Sequence, residues 1–269
     1  MLHLTVLLGY GVAIAALVVS IRVVRDGAGG VTPAVVGVLI GLATSLLHGA
    51  HLWQSVVLPE GWLLTLPNVI SLFGWELGLL AVVSAAQREL RTLAIPLFAL
   101  AAAGSLFTSV GAAELVRSAP ELGIKAHAVL SLLAYGLLAA SALLGIFVLY
   151  QDRRLRVAKV SGWTSTLPPL FATERLLFGV LGGGWILLTL ALATGVVFLE
   201  DMFAQHLAHK SVLSLLGWVI LTVLIAGHLR WGWRGRRAVH WLLGTFVLLM
   251  IAYFGSKAVL EQLLGRAWG

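Results

Sequence analysis

The chain has 269 residues, of which 60% are hydrophobic and only 11% are charged, and it contains no cysteine. An ordinary soluble domain has about 25% charged residues, so this composition excludes a typical soluble enzyme, a disordered chain and a disulfide-stapled secreted domain. Without cysteine, thiolate metal sites and a cysteine nucleophile are also excluded. The class that remains is a helical protein that crosses a membrane several times.

Eight stretches are long and apolar enough to cross a bilayer, which takes about 20 mainly apolar residues. They are 3–23, 33–57, 63–86, 92–112, 126–150, 177–199, 211–229 and 239–260. Glu76, in the third stretch, is the only acidic residue within them. We therefore predict an all-α polytopic membrane protein with eight transmembrane helices. It is expected to form a single integral membrane domain over 1–269, with four spans in 1–124 and four in 125–269.

The basic residues are distributed unequally between the two sides of these spans. Thirteen of the 18 lysines and arginines follow odd-numbered spans, and five lie on the other side. Short cytoplasmic loops are enriched in lysine and arginine, so the odd-to-even loops are predicted to be cytoplasmic and both termini periplasmic. This explains the net charge of +7 without a nucleic acid partner. We expect a multi-pass protein of the bacterial inner membrane whose first span is not cleaved as a signal peptide.

Proline and glycine mark the other structural features of the chain. Pro168 and Pro169 lie in the longest predicted loop, 151–176, and are expected to break any helix there. Gly37–Gly41 and Gly74–Gly78 are pairs of small residues four positions apart. Such pairs allow two transmembrane helices to approach closely, so we predict helix packing at both.

The most informative polar residues are those predicted to lie inside the membrane, where polar groups are costly. His48 and His51 are three residues apart and share one face of the second span. They are interpreted either as ligands of a metal or a heme or as packing histidines with satisfied hydrogen bonds. Glu76 is expected to be neutral or paired. It is interpreted as a hydrogen-bond partner of a ligating histidine, as a pair with a neighbouring span, or as a proton relay.

Other histidines lie at the ends of predicted spans. His127 is at the outer start of the fifth span, where it is either a ligand or an ordinary helix-end residue. His206 and His209 precede the seventh span, and a solvated interfacial face is an alternative to a metal or heme site there. His228 ends the seventh span on the cytoplasmic side, and His240 is assigned to the same interface.

Tryptophans and arginines surround His228. Trp231, Trp233 and Trp241 are predicted to form an aromatic belt, and the neighbouring arginines to anchor the orientation of the chain. The same arginines also suit anionic head groups or propionates, which they can bind through bidentate hydrogen bonds.

The second half of the chain resembles the cytochrome c assembly family of heme-handling membrane proteins, specifically its YpjD/HemX-like branch. The resemblance is carried by KAHAVLSLLAYGLL (125–138), LPPLFATERLLFGVLGGGWILLTLALATG (167–195), HKSVLSLLGW (209–218) and GHLRWGWRGRRAVHWLLGTF (227–246). It covers at least 125–261, with a looser match through the first four spans. It implies a role in heme export or cytochrome c maturation.

The resemblance also implies the ligands of a heme. His127 matches the family's first external histidine, His228 matches the histidine of the span after the family's tryptophan-rich loop, and His48 is the counterpart of an early transmembrane histidine. Residues 198–210 contain no tryptophan, however, and no histidine follows the eighth span. The resemblance therefore implies that the outer site that presents heme is incomplete.

The leading hypothesis is a protein that binds or moves heme b without chemical turnover. Since the chain has no cysteine, the heme would be held non-covalently by His48, His127 and His228, with His51 and Glu76 as secondary candidates. Expected partners are heme, the lipid bilayer and another membrane protein of cytochrome c maturation. The alternatives are a non-enzymatic scaffold or regulatory subunit with packing histidines, and a proton-coupled transporter that uses Glu76.

Overall fold

The computed structural model describes residues 2–25, 31–58, 61–63, 65–108, 122–156, 167–198 and 208–252. The helices within these ranges are α1 (Leu2–Arg25), α2 (Val31–Val56), α3 (Leu66–Ala86), α4 (Arg91–Ser105), α5 (Leu122–Arg156), α6 (Leu170–Phe198), α7 (Ala208–Trp231) and α8 (Gly235–Met250). A short antiparallel pair of strands, β1 (Val57–Leu58) and β2 (Gly61–Trp62), follows α2. A single 3-10 turn, Arg88–Leu90, precedes α4.

Six of the described helices are long and apolar enough to cross a membrane. The candidate spans are Leu2–Val23, Thr32–Val56, Leu66–Ala86, Leu122–Arg156, Leu170–Phe198 and Ser211–Trp231. The prediction of a polytopic helical membrane protein is therefore confirmed. The predicted spans 92–112 and 239–260 correspond to α4 and α8. The last residues of these two predictions, 109–112 and 253–260, lie outside the described ranges.

Packing divides the chain into two compact units. The first unit contains Met1–Pro120 and Ala158–Thr173, and the second contains Glu121–Val157 and Glu174–Gly269. Helices α1 to α4 thus pack together in the first unit, and α5, α7, α8 and most of α6 belong to the second. The prediction of one domain over 1–269 stays a prediction.

Glycines allow the helices of the first unit to approach closely. A Cβ placed on Gly74 of α3 would lie 2.9 Å from the Cα of Gly104 in α4, so the two backbones are in direct contact there. Gly37 and Gly41 of α2 lie against the side chains of Leu17 and Phe98. The predicted glycine pairs are thus packing positions, because a larger residue would force these neighbours apart.

Pro168 and Pro169 mark the start of α6. The carbonyl of Pro169 accepts a hydrogen bond from the backbone N–H of Thr173 at 3.1 Å, as in the first turn of a helix. Proline is tolerated there because the first N–H groups of a helix have no partner within it. The predicted break at the prolines is right, but α6 begins at Leu170 and not at 177.

Two tryptophans hold α6 and α7 together in the second unit. Trp185 Nε1 donates to Thr222 Oγ1 at 2.9 Å, and Trp218 Nε1 donates to Thr189 Oγ1 at 2.8 Å. The two indole rings stack at 6.5 Å with an interplanar angle of 10°. These reciprocal bonds satisfy both half-buried indole donors and link the two helices through their side chains.

The contact between α3 and α4 generates a test. Replacing Gly74 by Ala is expected to lower the free energy of unfolding by about 1–3 kcal/mol, since the added methyl group overpacks the interface. The matched control is Gly11→Ala in α1, where nothing lies within 4 Å of the added Cβ. Thermal unfolding in detergent, followed by tryptophan fluorescence, measures both. Equal melting temperatures for the two variants would contradict the close approach.

Candidate functional site

His48 lies in the interior of the first unit, with none of its surface exposed. Its Nδ1 atom is 3.3 Å from the hydroxyl of Tyr10 in α1, and its Nε2 atom is 3.0 Å from Ser71 Oγ in α3. The imidazole therefore connects three helices. Each of its nitrogens is paired with a hydroxyl group.

The hydrogen bonds beyond Ser71 determine which nitrogen of His48 carries the proton. Thr108 Oγ1 donates to the carbonyl of Ser105 at 3.3 Å, so it accepts from Ser71 Oγ, which is 2.6 Å away. Ser71 has one hydrogen, and it therefore accepts from His48 Nε2–H. His48 is thus protonated at Nε2, and this nitrogen has no lone pair available for a metal. Its Nδ1 atom faces the hydroxyl of Tyr10, which also donates to Ser45 Oγ at 3.4 Å.

His51 contacts a histidine that the sequence analysis did not select, His3 of α1. Their Nε2 atoms are 3.3 Å apart, and their rings are nearly perpendicular at 82°. His3 Nδ1 lies 3.2 Å from the carbonyl of Ser105, which already accepts from Thr108. The sequence contained one indication of this contact. His3 begins the first predicted span, and His51 is near the end of the second, so two antiparallel spans bring them to the same side of the membrane.

Glu76 is 5% exposed in the middle of α3. Neither of its carboxyl oxygens has a hydrogen-bond partner in the part of the chain that the structure describes. The predicted bond from Glu76 to a ligating histidine is therefore not formed within these residues. Burying a carboxyl group without a hydrogen-bond partner costs free energy. Glu76 is therefore a candidate for binding a proton or another group that the described residues do not provide.

His127 lies in the second unit, half-buried between α5 and α6. Its Nδ1 atom is 2.8 Å from the backbone carbonyl of Ala191. A carbonyl can only accept, so Nδ1 carries a proton, and in the neutral imidazole Nε2 has the lone pair. Nε2 has no hydrogen-bond partner among the described residues. This is the arrangement of a metal-ligating histidine, in which a carbonyl fixes the tautomer and the orientation of the ring.

His228 has the same arrangement at the end of α7. Its Nδ1 atom is 2.9 Å from the carbonyl of Trp233, which assigns the proton to Nδ1 and the lone pair to Nε2. Its ring stacks on Phe178 of α6 at 3.5 Å with an interplanar angle of 8°. The carbonyl and the phenyl ring together restrict the orientation of the imidazole.

His127 and His228 are held near opposite ends of α6. Ala191 and Phe178, their contacts on that helix, are 13 residues apart, which is about 20 Å at about 1.5 Å per residue. Two imidazoles that ligate one ion at about 2 Å each have nitrogens within about 4 Å of each other. These two histidines therefore do not share one ion. His48 belongs to the other unit, so its predicted pairing with either of them stays a prediction.

The remaining histidines add no further cluster. His240 is exposed on α8 and bonds through Nδ1 to the carbonyl of Arg236 in the preceding turn. His206 and the side chain of His209 lie outside the described residues. Over the described ranges, no group of three or more His, Cys, Asp or Glu side chains is placed to hold a metal ion.

The fold and these sites define a polytopic helical membrane protein with hydrogen-bonded histidines in both of its compact units. The family described as cytochrome C assembly protein matches residues 37–264, which is most of the chain. This chain belongs to the cytochrome c assembly protein family.

Known relatives support this assignment. The chain is 37% identical over 142 residues to the inner membrane protein YpjD of Escherichia coli (strain K12) and, equally, to YpjD of Escherichia coli O157:H7. Each match covers 53% of both chains, so the chain matches about half the length of these relatives. It is also 30% identical over 226 residues to an uncharacterized 28.8 kDa protein of Azospirillum brasilense, covering 83% of this chain and 82% of that protein. No solved structure matches the chain.

The bonding of His48 leads to a stability prediction. Replacing His48 by Ala empties a buried position and removes one hydrogen-bond partner from each of the hydroxyls of Tyr10 and Ser71. We expect the free energy of unfolding to fall by about 2–5 kcal/mol, as for other large-to-small changes in a core.

Thermal unfolding of the two single variants His48→Ala and His240→Ala is the measurement. His240 is exposed, and its replacement is expected to change the free energy of unfolding by no more than about 0.5 kcal/mol. If both variants melt at the wild-type temperature, His48 does not hold the first unit together in the way described.

Proposed function

We propose that this chain is a heme-handling protein of the bacterial inner membrane that acts in cytochrome c assembly or heme export. It binds or moves heme b through histidine ligation and performs no chemical turnover. The observation that carries the proposal is the shared geometry of His127 and His228, each with Nδ1–H bonded to a carbonyl and Nε2 without a described partner.

Separate observations support the proposed inner-membrane location and the proposed orientation of the spans. The relatives named YpjD are inner membrane proteins, and six described helices are able to span. We propose eight spans with both termini in the periplasm, because the cationic residues are concentrated in the odd-to-even loops. In the second unit, the arginine-rich end of α5 and the start of α8 lie together, as expected for one cytoplasmic end.

The residues of the second unit fit the donor set that a b-type heme requires. The bound group would supply a redox-active iron, and imidazole nitrogen is a common axial ligand of heme iron. His127 and His228 each provide one neutral nitrogen with its lone pair free. Phe178 limits rotation of the His228 ring and excludes water from its face. Because the two histidines are about 20 Å apart along α6, they serve two separate positions.

Two segments in the second half of the chain support the handling of heme without its attachment to a protein. Residues 198–210, which precede α7 and extend into its first turn, contain no tryptophan, and residues 253–269 contain no histidine. The outer site therefore lacks the aromatic loop and the second external ligand that the family resemblance implies. Binding, transfer or sensing of heme is consistent with the donors that remain.

A non-enzymatic scaffold or regulatory subunit is the second candidate function. The observation that favours it is the hydroxyl group facing each nitrogen of His48, the histidine most deeply buried among the described residues of the first unit. A histidine bonded at both nitrogens is a packing residue. In a scaffold, the variants His127→Ala and His228→Ala would retain the activity of the wild-type chain in cells.

Glu76 favours a third candidate, a proton-coupled transporter. Its buried carboxyl lacks a hydrogen-bond partner over the described ranges, and intramembrane carboxyls commonly lie on proton pathways. In proteoliposomes with a pH-sensitive dye inside, Glu76→Gln is expected to abolish any proton flux that the wild-type chain supports. No flux from the wild-type chain would argue against this candidate.

The heme proposal is tested by absorption spectroscopy of protein purified from heme-replete membranes. We expect a b-type spectrum in the oxidised and reduced states. We expect a lower heme-to-protein ratio in both His127→Ala and His228→Ala, because each loses one iron ligand. The control is His240→Ala, which removes an exposed histidine and is expected to leave the ratio unchanged.

Two results would contradict the proposal. One is a wild-type protein that shows no heme signal and no spectral change when hemin is added. The other is that His127→Ala and His228→Ala, like the control His240→Ala, bind as much heme as the wild type. The melting temperature of each variant is measured in parallel, so that unfolding is distinguished from loss of a ligand.

A further inference from the structure

One end of the second unit has a large excess of arginine. The last residues of α5 include exposed Arg153, Arg154 and Arg156, and the start of α8 includes exposed Arg236 and Arg237. Helices α5 and α8 are in contact here, since Arg236 approaches Asp152 of α5. Asp152 therefore faces cations from two helices.

Asp152 organises two of these guanidinium groups around one oxygen. Its Oδ2 atom is 3.0 Å from Arg156 Nε and 3.9 Å from Arg236 Nε. The Asp152 side chain is only 17% exposed, whereas those of Arg156 and Arg236 are 65% and 51% exposed. One carboxylate thus holds two cations in place and leaves one positive charge unbalanced. Both arginine side chains are more than half exposed, so their guanidinium groups are accessible to a second anion.

The surroundings of this pair are those of a membrane interface. Leu155 and Tyr150 on α5 are 53% and 42% exposed, and Trp241 on α8 is 41% exposed. Arg154 lies over the ring of Tyr150, 5.2 Å from its centroid. Tyrosine and tryptophan are enriched at the level of lipid head groups. The end of the unit that carries Arg156 and Arg236 thus also carries exposed apolar side chains.

We propose that Arg156 and Arg236, held by Asp152, form a binding site for the phosphate of an anionic phospholipid. Guanidinium groups bind phosphate through paired, directional hydrogen bonds, and one phosphodiester balances the one surplus charge. The exposed apolar side chains would contact the acyl chains, which a free phosphate lacks. The bound lipid would link α5 and α8 at this end of the unit. The site is independent of any heme bound elsewhere.

The test is native mass spectrometry of the full chain in detergent, titrated with phosphatidylglycerol and, separately, with phosphatidylcholine. The wild type is expected to retain phosphatidylglycerol preferentially. The double variant Arg156→Gln/Arg236→Gln should bind phosphatidylglycerol on the order of twentyfold more weakly, at about fivefold for each arginine removed near an anionic head group.

The matched control is Arg153→Gln/Arg154→Gln, which removes the same charge from the same end of the unit without touching Asp152. Its loss of affinity is expected to be fivefold or less. An equal loss in the two double variants would overturn the proposal in favour of diffuse surface charge. Equal retention of the two lipids by the wild type would also overturn it, as would displacement of the lipid by an equimolar amount of inorganic phosphate. Melting temperatures confirm that each variant is folded.

Discussion

Imidazole nitrogens inside a bilayer have no water to bond with, so each must find a partner within the protein or in a bound group. This demand separates the histidines of the chain into two kinds. His48 has hydroxyl partners at both nitrogens. His127 and His228 are half-buried, and each gives one nitrogen to a backbone carbonyl, while the other has no hydrogen-bond partner among the described residues.

The first kind determines the structure of the first unit. The bonds from Tyr10 through His48 and Ser71 to Thr108 connect α1, α2 and α3 with the segment that follows α4. The carbonyl of Ser105 joins this chain of bonds to His3 and His51. A buried polar network of this kind fixes the positions of its helices, because moving one of them leaves polar groups unpaired in an apolar environment.

The sequence was sufficient to predict the membrane class, most of the spans and the small-residue packing at Gly37 and Gly74. These follow from composition and spacing, which are local properties. The pairing of His3 with His51 depends on contact between two spans. The tautomer of His48 depends on hydroxyls from two further helices. Neither is encoded in a single segment. The start of α6 at Leu170 was missed because proline has two effects on a helix. It breaks a helix that precedes it, and it is also tolerated in the first turn of the helix that follows.

The tautomers of the buried histidines test the account most directly. When the protein is labelled with ¹⁵N-histidine, long-range nitrogen–proton correlation spectra report which ring nitrogen of each histidine carries the proton. We expect Nδ1–H for His127 and His228 and Nε2–H for His48. Added hemin is expected to broaden the signals of His127 and His228 and to leave that of His48 unchanged. Nε2–H tautomers at His127 and His228, or signals there that hemin does not affect, would contradict it.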